Sequence, residues 1–212
     1  MALASLKGNW APFVVATIVL MAFVYAITGP YVVTYELIMN QIQVNPIFAL
    51  VAMAIYLLAM PLVFMPLNIG YTYTANRLHV EGDGRLTGNM FRDGFGRWGR
   101  NAWGLFLVGF FTSLWSLLLI VPGIVKFYAY SMTPYILIDD PELSANQAIN
   151  LSKKMMKGHK LDLFYLHLSF IGWNFLSIFT LGIGLLWVVP YMMTAQAAFY
   201  QDIRKEYLSI NK

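Results

Sequence analysis

The sequence predicts an all-α polytopic membrane bundle, about six transmembrane helices arranged as three hairpins. Three observations carry the prediction. Hydrophobic residues make up 59% of the 212-residue chain and charged residues only 11%, and mean hydropathy is +0.62, a membrane rather than a soluble balance. The apolar residues fall in runs long enough to cross hydrocarbon about 30 Å thick, which takes about 20 helical residues. Lys and Arg gather in short connections that alternate with connections lacking them. One integral membrane domain, residues 1–212, is the expected unit, since no polar stretch is long enough for a separate soluble core.

Ala11 to Thr28 is the first crossing. Its apolar run continues to Gly29 and Pro30; a cleaved signal peptide, with its shorter apolar core, is the lesser alternative. Pro46 to about Tyr73 is the second, opened by an Asn45 cap with proline at the first helical position, and Pro61 and Pro66 should kink it because each removes a backbone donor. Asn101 to Ile138 is 38 residues long with Lys126 as its only charge. As one helix it would reach roughly 57 Å, nearly twice the hydrocarbon thickness, so it should fold back at Pro122 and Gly123. Leu161 to Thr180 and Leu185 to about Tyr200 complete the set, joined by the turn Leu181 to Gly184.

The basic residues set the sides. Lys7 precedes the first crossing; Arg77, Arg85, Arg92, Arg97 and Arg100 lie between the second and third; Lys153, Lys154, Lys157 and Lys160 lie between the fourth and fifth; Arg204, Lys205 and Lys212 follow the sixth. The intervening connections, among them Tyr31 to Asn45, carry no Lys or Arg except Lys126 just past the predicted turn. Lys and Arg favour the cytoplasmic side in short loops, so both termini are expected in the cytoplasm. A single crossing over Asn101 to Ile138 would put two basic loops on opposite faces.

Both basic connections carry structure of their own. In "DDPELSANQAINLSKKMMKGHK", Asp140 reads as a cap, Pro141 as the first helical residue and Glu142 as a first-turn acid that complements the helix dipole. Ala145, Ala148, Ile149, Ser152 and Met156 form a mostly apolar stripe, and Phe91, Phe95 and Trp98 form another among arginines. Two cytoplasmic interfacial segments, about 86–100 and 141–158, are therefore expected to lie on the membrane, with Arg92, Arg97, Arg100, Lys153, Lys154 and Lys157 toward anionic headgroups. Ordinary solvated connections are the alternative.

Candidate chemistry is sparse. With no cysteine, disulfides, thiolate metal sites and cysteine nucleophiles are excluded. "GFGRWG", Gly94 to Gly99, matches the dinucleotide pattern, but that pattern needs a preceding strand, and here an arginine-rich connection leads into a spanning helix. His159, Asp162 and His167 share roughly one helix face, whereas a helical zinc site pairs histidines at i and i+4, so an interhelical hydrogen bond is the expected role of His167. Asn68 and Asn174, with Ser113, Ser116, Ser131 and Ser169, are expected to bridge helices, the lining of an aqueous path being the alternative. Lys126, an ionisable residue in a spanning segment, has two readings. It is either a site for an anionic headgroup or substrate, paired with Glu36 of the outer connection, or an anchor that snorkels to the outer interface. No catalytic residue, cofactor or metal is expected.

The strings "LKGNW", "FRDGFGRWGR", "WSLLLIVPGIVKFYAYSMTPYILIDDPELSANQAINLSKKMMKGHKLDLF" and "LSFIGWNFLSIFTLGIGLLWVVPYMMTAQAAFY" resemble a bacterial family of small multipass membrane proteins, the domain of unknown function 975, over nearly all of Leu6 to Tyr200. The resemblance implies a bacterial cytoplasmic-membrane location and brings no catalytic residues. A much weaker similarity to the membrane part of some glycerophosphodiester phosphodiesterases brings no activity, because the chain has no soluble phosphodiesterase domain. A basic residue and a glycine precede three crossings, at Lys7 and Gly8, at Arg97 to Arg100 around Gly99, and at Lys157 and Gly158. This reads either as a threefold hairpin repeat or as a composition common to such loops.

The expected function is non-enzymatic: a membrane-organising or adaptor protein that binds anionic lipid or a membrane partner. A small oligomeric transporter or channel with Lys126 near its pathway is the alternative. The expected partners are the anionic bilayer, a second copy of the chain or another membrane protein, and no nucleic acid.

Overall fold

The computed structural model describes residues 5–40, 42–82 and 87–210; the side chains at 60, 61 and 87–91 lie outside that description. It is 86% helical, without a strand among the described residues. The elements are α1 (Trp10–Met39), α2 (Pro46–Ala59), a π-helical turn (Met60–Phe64), α3 (Met65–Glu81), α4 (Thr87–Gly96), α5 (Trp98–Leu118), α6 (Ile120–Tyr130), α7 (Thr133–Asp139), α8 (Ala145–Met155), α9 (Lys160–Phe179) and α10 (Leu185–Ile210). Among these, α1, the continuous limb Pro46–Glu81, α5 and α9 are long and apolar enough to cross a membrane.

The first helix does not stop at Gly29 and Pro30. It runs on to Met39, so the predicted connection Tyr31 to Asn45 contracts to the few residues after it. Backbone groups in hydrocarbon have no water to turn to, which keeps a helix intact through a proline. Thr34 Oγ1 donates to the Pro30 carbonyl at 2.6 Å. On the return limb the π-helical turn contains Pro61, where a kink was predicted.

With 30 residues, α1 is about 45 Å long, against about 30 Å for the 20 residues of α9. The excess forms an arm in which α2 packs on the distal half of α1 and on the π turn. The Tyr31 and Tyr56 rings stack there at 4.8 Å, and Val33, Ile38, Ile47, Phe48, Leu50 and Leu58 are each at least 50% exposed.

The middle run does fold back, three residues earlier than Pro122, at Leu119, whose extended backbone (φ −159°, ψ 137°) separates α5 from α6. Pro122 instead occupies the first turn of α6, where its missing N–H costs nothing. Gly123 lets the limbs touch, since a Cβ there would lie 2.8 Å from Ser116 Cα. The last hairpin repeats the device at the same spacing, with a Cβ at Gly184 lying 3.1 Å from Ser177 Cα. Both tips are apolar and bare; Leu117 is 84% and Leu181 95% exposed.

The apolar stripe of α8 faces the bundle, not the membrane interface. Ala145, Ala148, Ile149, Ser152 and Met156 are all buried. Ser152 Oγ donates to the Ala129 carbonyl at 2.9 Å and accepts from Met132 N at 3.2 Å. Small side chains that admit close helix contact hold α8 against its neighbours more specifically than fluid lipid does. Its cap is Ser144 rather than Asp140: Ser144 and Gln147 form a reciprocal capping box. In the other basic connection, α4 packs on α3. A Cβ at Gly94 would fall within the Pro66 carbonyl group, so the first glycine of "GFGRWG" serves helix contact rather than phosphate binding. Arg85 and the Phe91 side chain lie outside the described residues.

Candidate functional site

The three hairpins are joined by polar side chains at the end of the bundle where α1 begins and α10 ends, termed here the base. Asn76 of α3 donates to Asp139 Oδ1 of α7 at 3.0 Å, and Gln201 of α10 donates to Asn76 Oδ1 at 2.8 Å. Arg204 pairs with Asp139, donates to Asp140 Oδ1 at 2.9 Å, and donates to the Tyr200 hydroxyl at 2.9 Å. Burial opposes the Arg204 charge, but Tyr200, Asp139 and Asp140 together hold it above the usual arginine range. The donors and acceptors in this cluster satisfy one another, so its chemistry is that of a clamp. Sequence reasoning used Asp140 only as a cap; the pair of acids closing the apolar run "YILIDD" was the signal for an internal cation partner.

Arg92, Arg97 and Arg100 line one cavity of about 310 Å³ beside Asp93. Arg100 spends its guanidinium on the carbonyls of Leu137, Pro141 and Leu143. Arg97 donates to the Pro141 carbonyl and stands 3.6 Å from Glu142. These two arginines therefore tie off the carbonyl end of α7, the negative pole of its dipole. Arg92 is exposed. Asp93 Oδ2 is buried without a hydrogen-bond partner among the described residues, and burial pushes its carboxyl above the usual range against the pull of Arg77 and Arg92.

Lys153, Lys154 and Lys157 are exposed at and beyond the end of α8. Lys153 Nζ lies 3.1 Å from Asn150 Oδ1 and 5.4 Å from the centre of the Tyr130 ring. Among the described residues none of the three pairs with a carboxylate.

Lys126 stands seven residues beyond the Leu119 break, about 10 Å along α6 rather than beside the turn. Its ammonium lies 4.6 Å over the Trp115 ring of the facing limb, a cation–π contact. Glu36 is exposed on the distal arm, and no ion pair joins it to Lys126 among the described residues. His167 joins α6 to α10, with Nδ1 3.3 Å from the Tyr128 hydroxyl and Nε2 3.2 Å from Gln196 Nε2. Asn174, Ser116, Ser131 and Ser169, expected to bridge helices, return their hydrogen bonds to carbonyls of their own chain segment three or four residues back. Asn68 lines a cavity of about 590 Å³ between α1, α3 and α10.

The fold and these sites define a polytopic, all-helical membrane protein whose polar side chains are mostly spent on holding hairpins together. The chain belongs to the family described as Protein of unknown function (DUF975), whose model matches residues 100–207, about half its length. No curated protein and no solved structure matches it.

Proposed function

We propose that the protein is a non-catalytic membrane-organising protein, with three hairpins entering the bacterial cytoplasmic membrane from a cytoplasmic base, that binds anionic lipid through Lys153, Lys154 and Lys157. One observation carries this reading. The inward stripe of α8 is locked between helices, so the lysines at and just beyond its end form an exposed positive face, without a carboxylate partner among the described residues, rather than a mobile tail. Each basic residue close to an anionic membrane surface contributes about 1 kcal/mol of attraction.

The test is the thermal midpoint of the purified protein in phosphatidylglycerol against phosphatidylcholine nanodiscs. The expected result is a higher midpoint in phosphatidylglycerol that high salt and the triple change Lys153→Gln, Lys154→Gln, Lys157→Gln both remove. A phosphatidylglycerol effect unchanged in the triple variant overturns the reading.

A transporter is the second reading, favoured by the π-helical break that leads into Phe64 on the wall of the 590 Å³ cavity. Lys126 does not line that cavity. Solute flux in proteoliposomes that Lys126→Met abolishes would replace the organising reading by this one.

A further inference from the structure

The cavity between the first and last hairpins owes its existence to their unequal lengths. Leu181 and Leu185, at the tip of the last hairpin, line the cavity together with Met21 and Tyr25 of α1 and Phe64 of the return limb; beyond that level the arm continues alone. The recess of about 590 Å³ left beneath the arm is walled by α1 and the limb Pro46–Glu81, both long and apolar enough to cross a membrane, and on its remaining side by α10 and the turn before it. Its size suits a lipid-sized ligand.

The walls are apolar, and among the described residues no Lys, Arg, Asp, Glu or His lines them. Four lining side chains carry polar atoms: Tyr25, 75% exposed at the rim, and three toward the α3 wall. Two are satisfied: the Tyr71 hydroxyl is 2.8 Å from Thr17 Oγ1, which donates in turn to the Phe13 carbonyl at 2.8 Å. The third is Asn68, whose side-chain amide forms no hydrogen bond among the described residues. Asn68 is half-buried and its amide opens onto the recess, where it offers both a donor and an acceptor to a ligand.

We infer that this recess binds an uncharged, hydroxyl-bearing lipid of the diacylglycerol class, with its polar head on the Asn68 amide and its chain along α1 and α10. A hydroxyl flanked by ester carbonyls supplies both a donor and acceptors, matching the two halves of the amide. A phosphate is excluded from the same position, because no cation in the recess would offset its desolvation. The inference is independent of the lysine face and goes beyond it.

The test uses the full chain in phosphatidylcholine nanodiscs doped with dioleoylglycerol that carries a photoactivatable diazirine in one chain. Adducts are expected on peptides covering 17–25 and 181–193, competed by unlabelled dioleoylglycerol and not by phosphatidylglycerol. Asn68→Leu should raise the half-saturating mole fraction about tenfold, Asn68→Gln should restore most of it, and Met21→Trp should abolish capture by filling the recess. Adducts outside those peptides, equal competition by phosphatidylglycerol, or an unchanged half-saturation in Asn68→Leu would each overturn the assignment. The competition and mapping on the unaltered chain decide the question even where a variant fails to fold.

Discussion

In the first hairpin Lys7 and Gly8 precede α1, and in the last Lys157 and Gly158 precede α9 at the same distance. Both glycines take left-handed backbone, φ 87° and 100°, and the residue ahead of each lysine, Leu6 or Met156, is fully buried. Gly99, the corresponding glycine of the middle hairpin, lies inside α5 and makes no such turn. The first and last hairpins thus share a way of leaving the base, and then part. The last closes on Gly184 and Ser177, whereas the first runs on past the level where its neighbours end. Packing at the base is common to the bundle; what lies above the last hairpin's tip belongs to the arm alone. A cavity opens where the two meet because one limb has lost its neighbour.

The sharpest way to break this comparison is at a glycine on each side of it. Gly94 presses α4 onto the first hairpin's return limb, whereas a Cβ at Gly172 on α9 would meet no other described part of the chain within 4 Å. Gly94→Ala should destabilise by about 3 kcal/mol, because the Pro66 carbonyl is backbone and cannot rotate aside. Gly172→Ala should be neutral or stabilise by up to about 1 kcal/mol through helix propensity. Thermal midpoints in one detergent would read both; similar losses would show that the two faces are equally enclosed.

Next in size is the clamp that holds the hairpins to a common base. Asp139→Ala leaves Arg204 and Asn76 short of their acceptor in a half-buried site and should cost about 2 kcal/mol. Because the clamp spans all three hairpins, the loss should appear as one cooperative transition at a lower temperature. Two separate transitions would mean that the hairpins unfold independently.

The helical class, the fold-back of the middle run and an irregularity of the second limb at Pro61 were all legible, since composition, run length and proline positions are local facts. The misplacements have physical causes. Gly29 and Pro30 read as a terminator by rules learned in water, where a broken helix can hydrogen-bond to solvent. The stripe on α8 has the periodicity of a surface-seeking helix, and periodicity does not say whether lipid or protein will cover it. Arg100 was legible as a cation near a membrane; that it would be consumed by the carbonyl end of α7 depends on a contact 37 residues away along the chain.

A smaller pair of changes tests whether the shared lead-in is the same device twice. Gly8→Ala and Gly158→Ala each force a side chain into left-handed backbone and should cost about 1 kcal/mol. A Cβ at either glycine would point into open space among the described residues, so the cost is conformational alone and should match at the two positions. Unequal losses would mean that the resemblance stops at the backbone angle.

The smallest expected effect lies at the cavity shared by α4 and α5. Burial raises the Asp93 carboxyl in the folded chain, so the folded state holds a proton over a pH window in which the unfolded chain has released it. Stability from this group is therefore present at low pH and falls as pH rises from the ordinary carboxylate range through the raised value. Above that window the buried, unpartnered Oδ2 of the ionised acid is a standing cost. Asp93→Asn should remove it, raising stability at neutral pH by less than about 0.5 kcal/mol once solvent screening is allowed for. The gain should shrink to nothing as pH drops below the carboxylate range. A variant stabilised equally at pH 4 and pH 7.5 would show that the amide gains a hydrogen bond rather than relieving a charge.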